Sequence, residues 1–301
     1  GVGQINVESS SELETLNAVA GQLGVKADIT IRVNPDVDAK THPYISTGLK
    51  GNKFGVAFDE VLPTYRAAAA MPNLHVVGID CHIGSQITEV SPYLDALDKV
   101  LDVVTQLDAE GIHLSHIDVG GGLGITYTDE TPPDITAFAR TLLDRVEQRG
   151  FGDRTVLFEP GRSLVGNAGL LLTRVEYLKP GASKNFCIVD AAMNDLARPA
   201  MYEAYHHIVP VREGESAPVV YDVVGPVCES GDWLGRDRAL AVQAGDLLAI
   251  LSAGAYGFTM SSNYNTRNRA AEVIVDGDKM HLVRERERFE DQIRGEHLLP
   301  A

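Results

Sequence analysis

The chain has 301 residues, 44% of them hydrophobic and 23% charged, with a formal net charge of −16. This length and composition are typical of a soluble globular protein with room for two domains, and no apolar run is long enough to span a membrane. The negative field argues against nucleic acid and membrane surfaces as partners, and three widely separated cysteines suit a reducing, cytoplasmic location.

The first half of the chain alternates strand-like and helix-like segments. A strand over residues 4–8 leads to a helix whose start carries Ser9 and Glu12, the pattern of a capping box. Strands that are continuously apolar and alternate with helices predict a parallel β/α architecture, here with five strands. The later strands are predicted at 28–34, 75–82, 113–119 and 155–160, the helices near 59–70, 91–110 and 134–149, and a long polar loop at 35–53.

The second half of the chain has a different sequence pattern. Seven short β-rich runs are separated by Gly, Pro and Asp, which predicts an antiparallel β domain. We therefore predict a first domain over residues 1–167 and a second over 168–301. The adjacent His206 and His207 and the charged tail at 284–296 are expected on the surface. The histidines show no metal-ligand spacing, so no metal site is predicted.

Functional groups in a parallel β/α fold gather at the carboxyl ends of the strands. Four consecutive strand ends in this chain are polar or glycine-rich, and together they favour a real site. The glycine run can hold a phosphate on backbone N–H groups, or it can be a plain strand–turn–helix junction. The four ends carry Arg32 and Asn34; His82, Gly84 and Ser85; Gly120, Gly121, Gly122 and Gly124; and Glu159, Gly161 and Arg162.

Two of these groups have a structural alternative. His82 could be a buried histidine with satisfied hydrogen bonds, although the neighbouring Ser85 favours ligand contact. Glu159 and Arg162 could form a structural ion pair, but a carboxylate at a strand end is also what a pyridinium nitrogen needs.

Seven segments carry a resemblance to a known family. They occur in the order seen in diaminopimelate decarboxylases, the lysine-forming, pyridoxal-phosphate-dependent enzymes of the alanine-racemase-like fold (fold type III). The resemblance covers essentially the whole chain. The segments are RVNPDVDAKTHPYISTGLKGNKFGV, CHIGSQ, VGGGLGI, EPGR, DAAMNDLARPAMY, GPVCESGD and GAYGFTMSSNYNTR.

The resemblance implies a fold and a reaction. The fold is a pyridoxal-phosphate-binding (β/α)8 barrel, of which only the last five β/α strands are present in this chain, plus a C-terminal antiparallel β domain. The reaction is the decarboxylation of meso-2,6-diaminopimelate to L-lysine and CO2, carried out by a homodimer with shared active sites.

The resemblance also implies how the cofactor is held. His82 would stack on the pyridine ring, and Glu159 would face the ring nitrogen and keep it protonated. The phosphate would be held by a serine, a tyrosine and backbone N–H groups. The implied cofactor-binding residues are His82, Ser85, Gly120, Gly121, Gly122, Glu159, Pro160, Gly161, Arg162 and Tyr256.

Substrate contacts follow from the same resemblance. Cys228 and Glu229 would reach into the active site of the second subunit. There the cysteine would return a proton to the α-carbon, and the glutamate would meet the distal ammonium. The implied substrate-binding residues are Arg162, Arg198, Tyr202, Glu229 and Tyr256. A guanidinium suits the distal carboxylate because it can bind it through two hydrogen bonds.

Lys26, in GVKAD, imitates the family's Schiff-base motif, which is close to AVKAN. It precedes the strand at 28–34, so we expect a solvated loop lysine on the face of the barrel opposite the chemistry. The family's Schiff-base lysine and first three β/α units are therefore expected to be missing from these residues, and the chain is expected to be inactive alone.

Two other functions remain open. One is a related decarboxylase that acts on ornithine, arginine or carboxynorspermidine. The combination of Arg162 and Arg198 with Glu229 argues against it, because a diamine-forming enzyme meets a bare distal cation. The other is a catalytically dead homologue that binds a ligand or regulates.

Overall fold

The computed structural model describes residues 2–38 and 53–300. They form two compact units, one of Gly1–Ile125 and Glu130–Ser163, the other of Thr126–Asp129 and Leu164–Ala301. The predicted division at residue 167 stays a prediction. Most of the loop predicted at 35–53 lies outside the described residues. No helix in the described part of the chain has the length and hydropathy needed to cross a membrane.

The first unit is built on a parallel sheet, as the alternating pattern predicted. The sheet has the strand order β1-β2-β4-β5-β6, and the two-residue strand β3 pairs with the end of β2. Every pairing is parallel. The strands are β1 (Ile5–Val7), β2 (Ala27–Asn34), β3 (Val56–Ala57), β4 (Leu74–Asp80), β5 (His116–Asp118) and β6 (Thr155–Leu157).

Four helices connect these strands in the chain and pack against the core through periodic apolar faces. Burial of these faces explains why the helices form. In the third helix Leu97, Val100, Leu101 and Val104 are at most 2% exposed. Each such side chain contributes about 1.5–3 kcal/mol when it is fully buried. The helices are α1 (Ser10–Leu23), α2 (Val61–Ala70), α3 (Ser91–Ala109) and α4 (Ile135–Gln148).

The start of α1 differs from the predicted capping box. The Ser9 hydroxyl makes no capping hydrogen bond and lies 3.2 Å from the Ser11 hydroxyl instead. The Glu12 carboxylate accepts a hydrogen bond from the backbone N–H of Glu8 at 2.7 Å, one residue earlier than the pattern requires. Glu12 thus fixes the entry of the chain into the helix, and the serine does not take part.

The second unit is a six-stranded sheet with the order β11-β10-β8-β7-β12-β9. Its pairings are antiparallel, as predicted, except that β8 and β10 run parallel. The sequence patterns did not predict β11. The strands are β7 (Leu171–Lys179), β8 (Phe186–Val189), β9 (Ile208–Pro210), β10 (Val219–Val224), β11 (Trp233–Leu240) and β12 (Leu247–Ile250).

The described chain also has a separate hairpin, three short α-helices, and 3-10 turns at Phe58–Glu60, Phe258–Met260 and Tyr264–Thr266. The hairpin pairs β13 (Glu272–Asp276) with β14 (Lys279–Arg284). The helices are α5 (Arg162–Val165), α6 (Arg198–Tyr202) and α7 (Phe289–Ile293). The last of them lies in the charged tail that was expected to be solvated, and none of its residues is buried.

Candidate active site

Three carboxyl groups meet at the carboxyl ends of neighbouring strands in the first unit. Asp80 ends β4, Asp118 ends β5, and Glu159 follows β6 by two residues. Their side-chain oxygens lie within 4.8 Å of one another. Asp80 and Asp118 are buried, whereas Glu159 is exposed. The exposed carboxyl is thus backed by two buried ones, and we call the three the carboxyl cluster.

Burial raises the pKa of each carboxyl in the cluster, and the neighbouring carboxylates raise the pKa values of Asp80 and Glu159 further. Desolvation, with the charges of Asp118 and Glu159, raises the pKa of Asp80 to about 8, against an opposing effect of Arg32. Desolvation also raises the pKa of Glu159, and the charge of Asp118 adds to it. Desolvation raises the pKa of Asp118 despite a hydrogen bond from the Gly120 N–H at 2.9 Å. The cluster therefore binds a proton in neutral solution.

Arg32 forms an ion pair with this cluster through Asp80. Its Nη1 donates to Glu8 Oε1 at 2.7 Å, and its Nε lies 4.0 Å from Asp80 Oδ2. Glu8 Oε2 in turn accepts from the Gly55 N–H at 2.6 Å. Arg32, predicted at a strand end of β2, thus links Asp80 of β4 to Glu8, the residue after β1, rather than pairing with Asp80 alone.

His82 is neutral and oriented. Its Nδ1 accepts a hydrogen bond from the Gly121 N–H at 3.1 Å. Desolvation, reinforced by the charge of Arg32, lowers its pKa to about 4. A neutral imidazole can lie against a protonated aromatic ring without charge repulsion.

The glycine turn after β5 brings three strand ends together. The Glu159 N–H donates to the Gly120 carbonyl at 2.9 Å. A Cβ at Gly121 would lie 2.1 Å from the Glu159 carbonyl oxygen, and one at Gly122 would lie 2.1 Å from the Gly84 carbonyl oxygen. Gly120 and Gly122 also have φ angles of 71° and 101°. Only glycine permits both the close approach and the conformation.

Ser85 and Arg162, both predicted in the site, contact each other. Arg162 Nη2 donates to Ser85 Oγ at 2.9 Å, and Arg162 is only 5% exposed. Pro160 and Gly161, which precede it, are exposed. The first unit thus gathers the predicted residues His82, Ser85, Gly120, Gly121, Gly122, Glu159, Pro160, Gly161 and Arg162.

The second unit holds the other predicted residues. Arg198 and Tyr202 lie four residues apart on α6, the spacing of one helix face. Arg198 Nη1 lies 2.8 Å from His206 Nε2, and its guanidinium stacks over the Tyr127 ring at 4.6 Å. His206 is fully buried, so its expected surface position was wrong: its Nδ1 donates to the Leu251 carbonyl at 2.9 Å.

Cys228, Glu229 and Tyr256 are exposed residues of the second unit. Tyr256 has a φ angle of 57°, an uncommon left-handed conformation for a tyrosine. Cys81 and Cys187 are buried, and Cys228 is the exposed thiol of the three.

The sequence reasoning missed Asp80 and Asp118. A signal was present, because two apolar strands each end in Ile-Asp directly before the predicted site residues. Lys26 is exposed and directly precedes β2, at the strand end opposite the carboxyl cluster, as expected.

Comparisons with known proteins identify the family. Residues 1–166 match the pyridoxal-dependent decarboxylase family, pyridoxal binding domain. Diaminopimelate decarboxylase of Vibrio cholerae is 58% identical over 295 residues, which cover 98% of this chain and 70% of that protein. The enzyme of Pseudomonas aeruginosa is also 58% identical, over 100% of this chain and 72% of its own length.

Solved structures agree with the sequence relatives. Diaminopimelate decarboxylase from Helicobacter pylori, complexed with L-lysine, has a TM-score of 0.90 and 44% identity, over 96% of this chain and 72% of that chain. The enzyme from M. jannaschii, also complexed with L-lysine, has a TM-score of 0.92 and 41% identity. The match covers 99% of this chain and 70% of that chain. These matches confirm the predicted fold class, a pyridoxal-binding barrel with a β-rich domain. The chain belongs to the diaminopimelate decarboxylases, within the pyridoxal-dependent decarboxylase family.

Proposed function

We propose that this chain, within an enzyme that carries the family's Schiff-base lysine, catalyses the decarboxylation of meso-2,6-diaminopimelate to L-lysine and CO2 with pyridoxal 5'-phosphate. The observation that carries the proposal is the exposed Glu159 carboxyl, backed by Asp80 and Asp118, in a domain that matches pyridoxal-binding decarboxylases. Related proteins named for this activity support the choice of substrate.

The residues of the first unit fit the cofactor. The donors and acceptors are of the right kinds: a carboxyl for a ring nitrogen, and a hydroxyl, a guanidinium and glycine N–H groups for a phosphate. When bound, pyridoxal phosphate supplies an electron-withdrawing ring that accepts electrons as CO2 leaves. Glu159 would keep the ring nitrogen protonated, His82 would lie against the ring, and Ser85 and the glycine turn would hold the phosphate. Tyr256 of the second unit is a further proposed phosphate ligand.

The substrate is held through its distal end. Arg162 and Arg198 bind the distal carboxylate with help from Tyr202, and Glu229 binds the distal ammonium. A guanidinium fixed by neighbouring groups, as Arg198 is by His206 and Tyr127, keeps its geometry when the substrate arrives.

Cys228 completes the reaction from a second copy of the chain. We propose a homodimer in which Cys228 and Glu229 of one subunit act in the cofactor site of the other. The Cys228 thiol gives its proton to the α-carbon after CO2 has left. The products are then L-lysine, CO2 and a thiolate, which solvent reprotonates.

The proposal is tested in an enzyme that contains this chain and the family's Schiff-base lysine, by measuring CO2 and lysine formation from meso-diaminopimelate, with ornithine and arginine as competing substrates. We expect turnover of diaminopimelate only. The Glu159→Gln enzyme should retain the cofactor and lose at least about tenfold in kcat, since an amide cannot hold the ring nitrogen protonated. Preference for a diamine-forming substrate, or near-normal turnover in the variant, would contradict the proposal.

A further inference from the structure

Two loops of the second unit meet at the residues proposed to act on the substrate. Tyr264 Oη donates a hydrogen bond to Glu229 Oε2 at 2.5 Å. Asn265 Nδ2 donates to Cys228 Sγ at 3.5 Å. Consecutive residues of one loop therefore contact consecutive residues of the other. Glu229 and Cys228 are exposed, so without these contacts their side chains would sample many rotamers.

The backbone that presents Tyr264 and Asn265 is strained. Asn265 has a φ angle of 54°, and Thr266 has one of 57°. Asparagine tolerates this left-handed conformation, but a β-branched threonine rarely adopts it. Such a conformation persists only when the surrounding structure determines it, and it is common at functional sites.

Buried contacts fix both loops to one segment. Asn194 is 2% exposed; its Oδ1 accepts from Arg267 Nε at 2.8 Å, and its backbone carbonyl accepts from the Ser262 N–H at 3.0 Å. The turn that holds Tyr264 is thus anchored on both sides. The neighbouring Met193 N–H donates to Asp232 Oδ1 at 2.7 Å, in the loop that follows Cys228. Adjacent residues therefore set the distance between the two loops.

We propose that Tyr264 and Asn265 are positioning residues for Glu229 and Cys228. The proposal rests on the proposed function of those two residues. Tyr264 binds one carboxylate oxygen, and Oε1 accepts no hydrogen bond from the described residues, so it is available for the distal ammonium of the substrate. Asn265 orients the thiol and stabilises the thiolate that remains once the proton has left.

The contact between Asn265 and the Cys228 thiol can be tested by a measurement that does not depend on enzyme activity. Cys81 and Cys187 are 3% and 0% exposed, so iodoacetamide applied to the folded holoenzyme reports on Cys228, which peptide mapping verifies. Asn265→Gly deletes the amide donor and keeps a residue that adopts a positive φ. Because the reactive species is the thiolate, we expect alkylation at neutral pH about three- to tenfold slower. An unchanged or faster rate would overturn the role of Asn265.

The carboxylate contact is tested by kinetics. Tyr264→Phe should raise the KM for meso-diaminopimelate about tenfold and leave kcat within about twofold. The matched control is Tyr177→Phe, at a tyrosine that is 67% exposed on β7, which should change neither constant. In a Glu229→Gln background, Tyr264→Phe should have no further effect on KM.

The Glu229→Gln results distinguish a failure of the positioning role of Tyr264 from a failure of the proposed function of Glu229. If Glu229→Gln raises KM but Tyr264→Phe adds its own full effect, the positioning role is wrong and Glu229 keeps its proposed function. If Glu229→Gln leaves KM unchanged, the proposed function of Glu229 fails and the role of Tyr264 fails with it. The alkylation rate tests Asn265 in either case.

Discussion

The carboxyl of Asp80 makes the stability of the fold depend on pH. Its pKa is raised to about 8 in the folded protein, chiefly by desolvation and by Asp118 and Glu159, with Glu8 adding and Arg32 opposing. The same carboxyl has a pKa of about 3.9 in an unfolded chain. The folded state thus binds this proton more tightly. The stabilisation is fully present below the unfolded value and is lost as the pH rises through about 8.

Asp80→Asn should remove much of this dependence, because the amide resembles the protonated acid in shape and cannot ionise. Between about pH 5 and pH 8, the wild-type free energy of unfolding should fall relative to the variant by on the order of 2–4 kcal/mol. Urea denaturation across that range measures the difference. Asp144→Asn, at an exposed aspartate of α4, is the control and should track the wild type. Parallel curves for Asp80→Asn and the wild type would show that Asp80 is ionised throughout.

Arg198 should contribute more to substrate binding than to cofactor binding. Arg198→Ala removes a charge-assisted hydrogen bond of about 1.5–3 kcal/mol, so the KM for diaminopimelate should rise about 10- to 150-fold. Arg212→Ala, at an exposed arginine of the same unit, is the matched control. Titration with pyridoxal phosphate should give a nearly unchanged affinity for the variant. A variant that loses the cofactor and keeps substrate affinity would place Arg198 elsewhere in the mechanism.

At the scale of elements, the glycine turn between β5 and α4 couples three strand ends. Gly121→Ala places a methyl group 2.1 Å from the backbone oxygen of Glu159, a contact that only a backbone shift can relieve. We expect a loss of about 1–3 kcal/mol in stability and weaker cofactor binding, since the turn and Glu159 move together. Thermal unfolding and cofactor titration measure both. Gly3→Ala, where a Cβ meets nothing within 4 Å, should match the wild type.

Comparing predicted and observed elements shows which sequence patterns are sufficient to predict a strand or a helix. The parallel strands and α3 were predictable because burial on both faces, or on one helical face, leaves a strong pattern of apolar residues. β11 was missed because Arg236, Asp237 and Arg238 interrupt that pattern. The strand pairs only with β10 at the edge of its sheet, and edge strands tolerate charge. Residues that act in pairs across the chain, such as Ser85 with Arg162, have no local signal at all.

At the scale of the whole molecule, the sequence predicts candidate site residues but not the buried side chains that lie behind them. Glu159 and His82 stand in recognisable segments, so their positions follow from order along the chain. The buried Asp80 behind Glu159 depends on the register of β4 against β5, which pairs Asp80 with Asp118. That register is a property of the folded sheet. The burial of His206 is also a property of the folded chain. Its sequence neighbours are polar, but its side chain is fully buried beside Arg198.

If the proposed dimer shares its active sites, two variants impaired in different subunits should complement each other. In the proposed mechanism, Cys228→Ala removes the proton donor that one subunit supplies to the other, and Glu159→Gln impairs the cofactor site of its own subunit. In a hybrid dimer, the cofactor site of the Cys228→Ala subunit meets an intact Cys228 from its partner, so one of two sites is whole. Since random exchange makes half of the dimers hybrid, mixing should restore about a quarter of wild-type activity.

The alternative arrangement predicts a different result. If Cys228 acted within its own subunit, each subunit of the hybrid would lack one of the two groups, and no site would be whole. Subunit exchange is verified by tagging one variant and isolating mixed dimers. Each variant mixed with itself is the control and should show no more than its own residual activity. Activity that appears only in the mixed dimers assigns Cys228 to the partner's site, because no other pairing of the two substitutions leaves a complete set of residues.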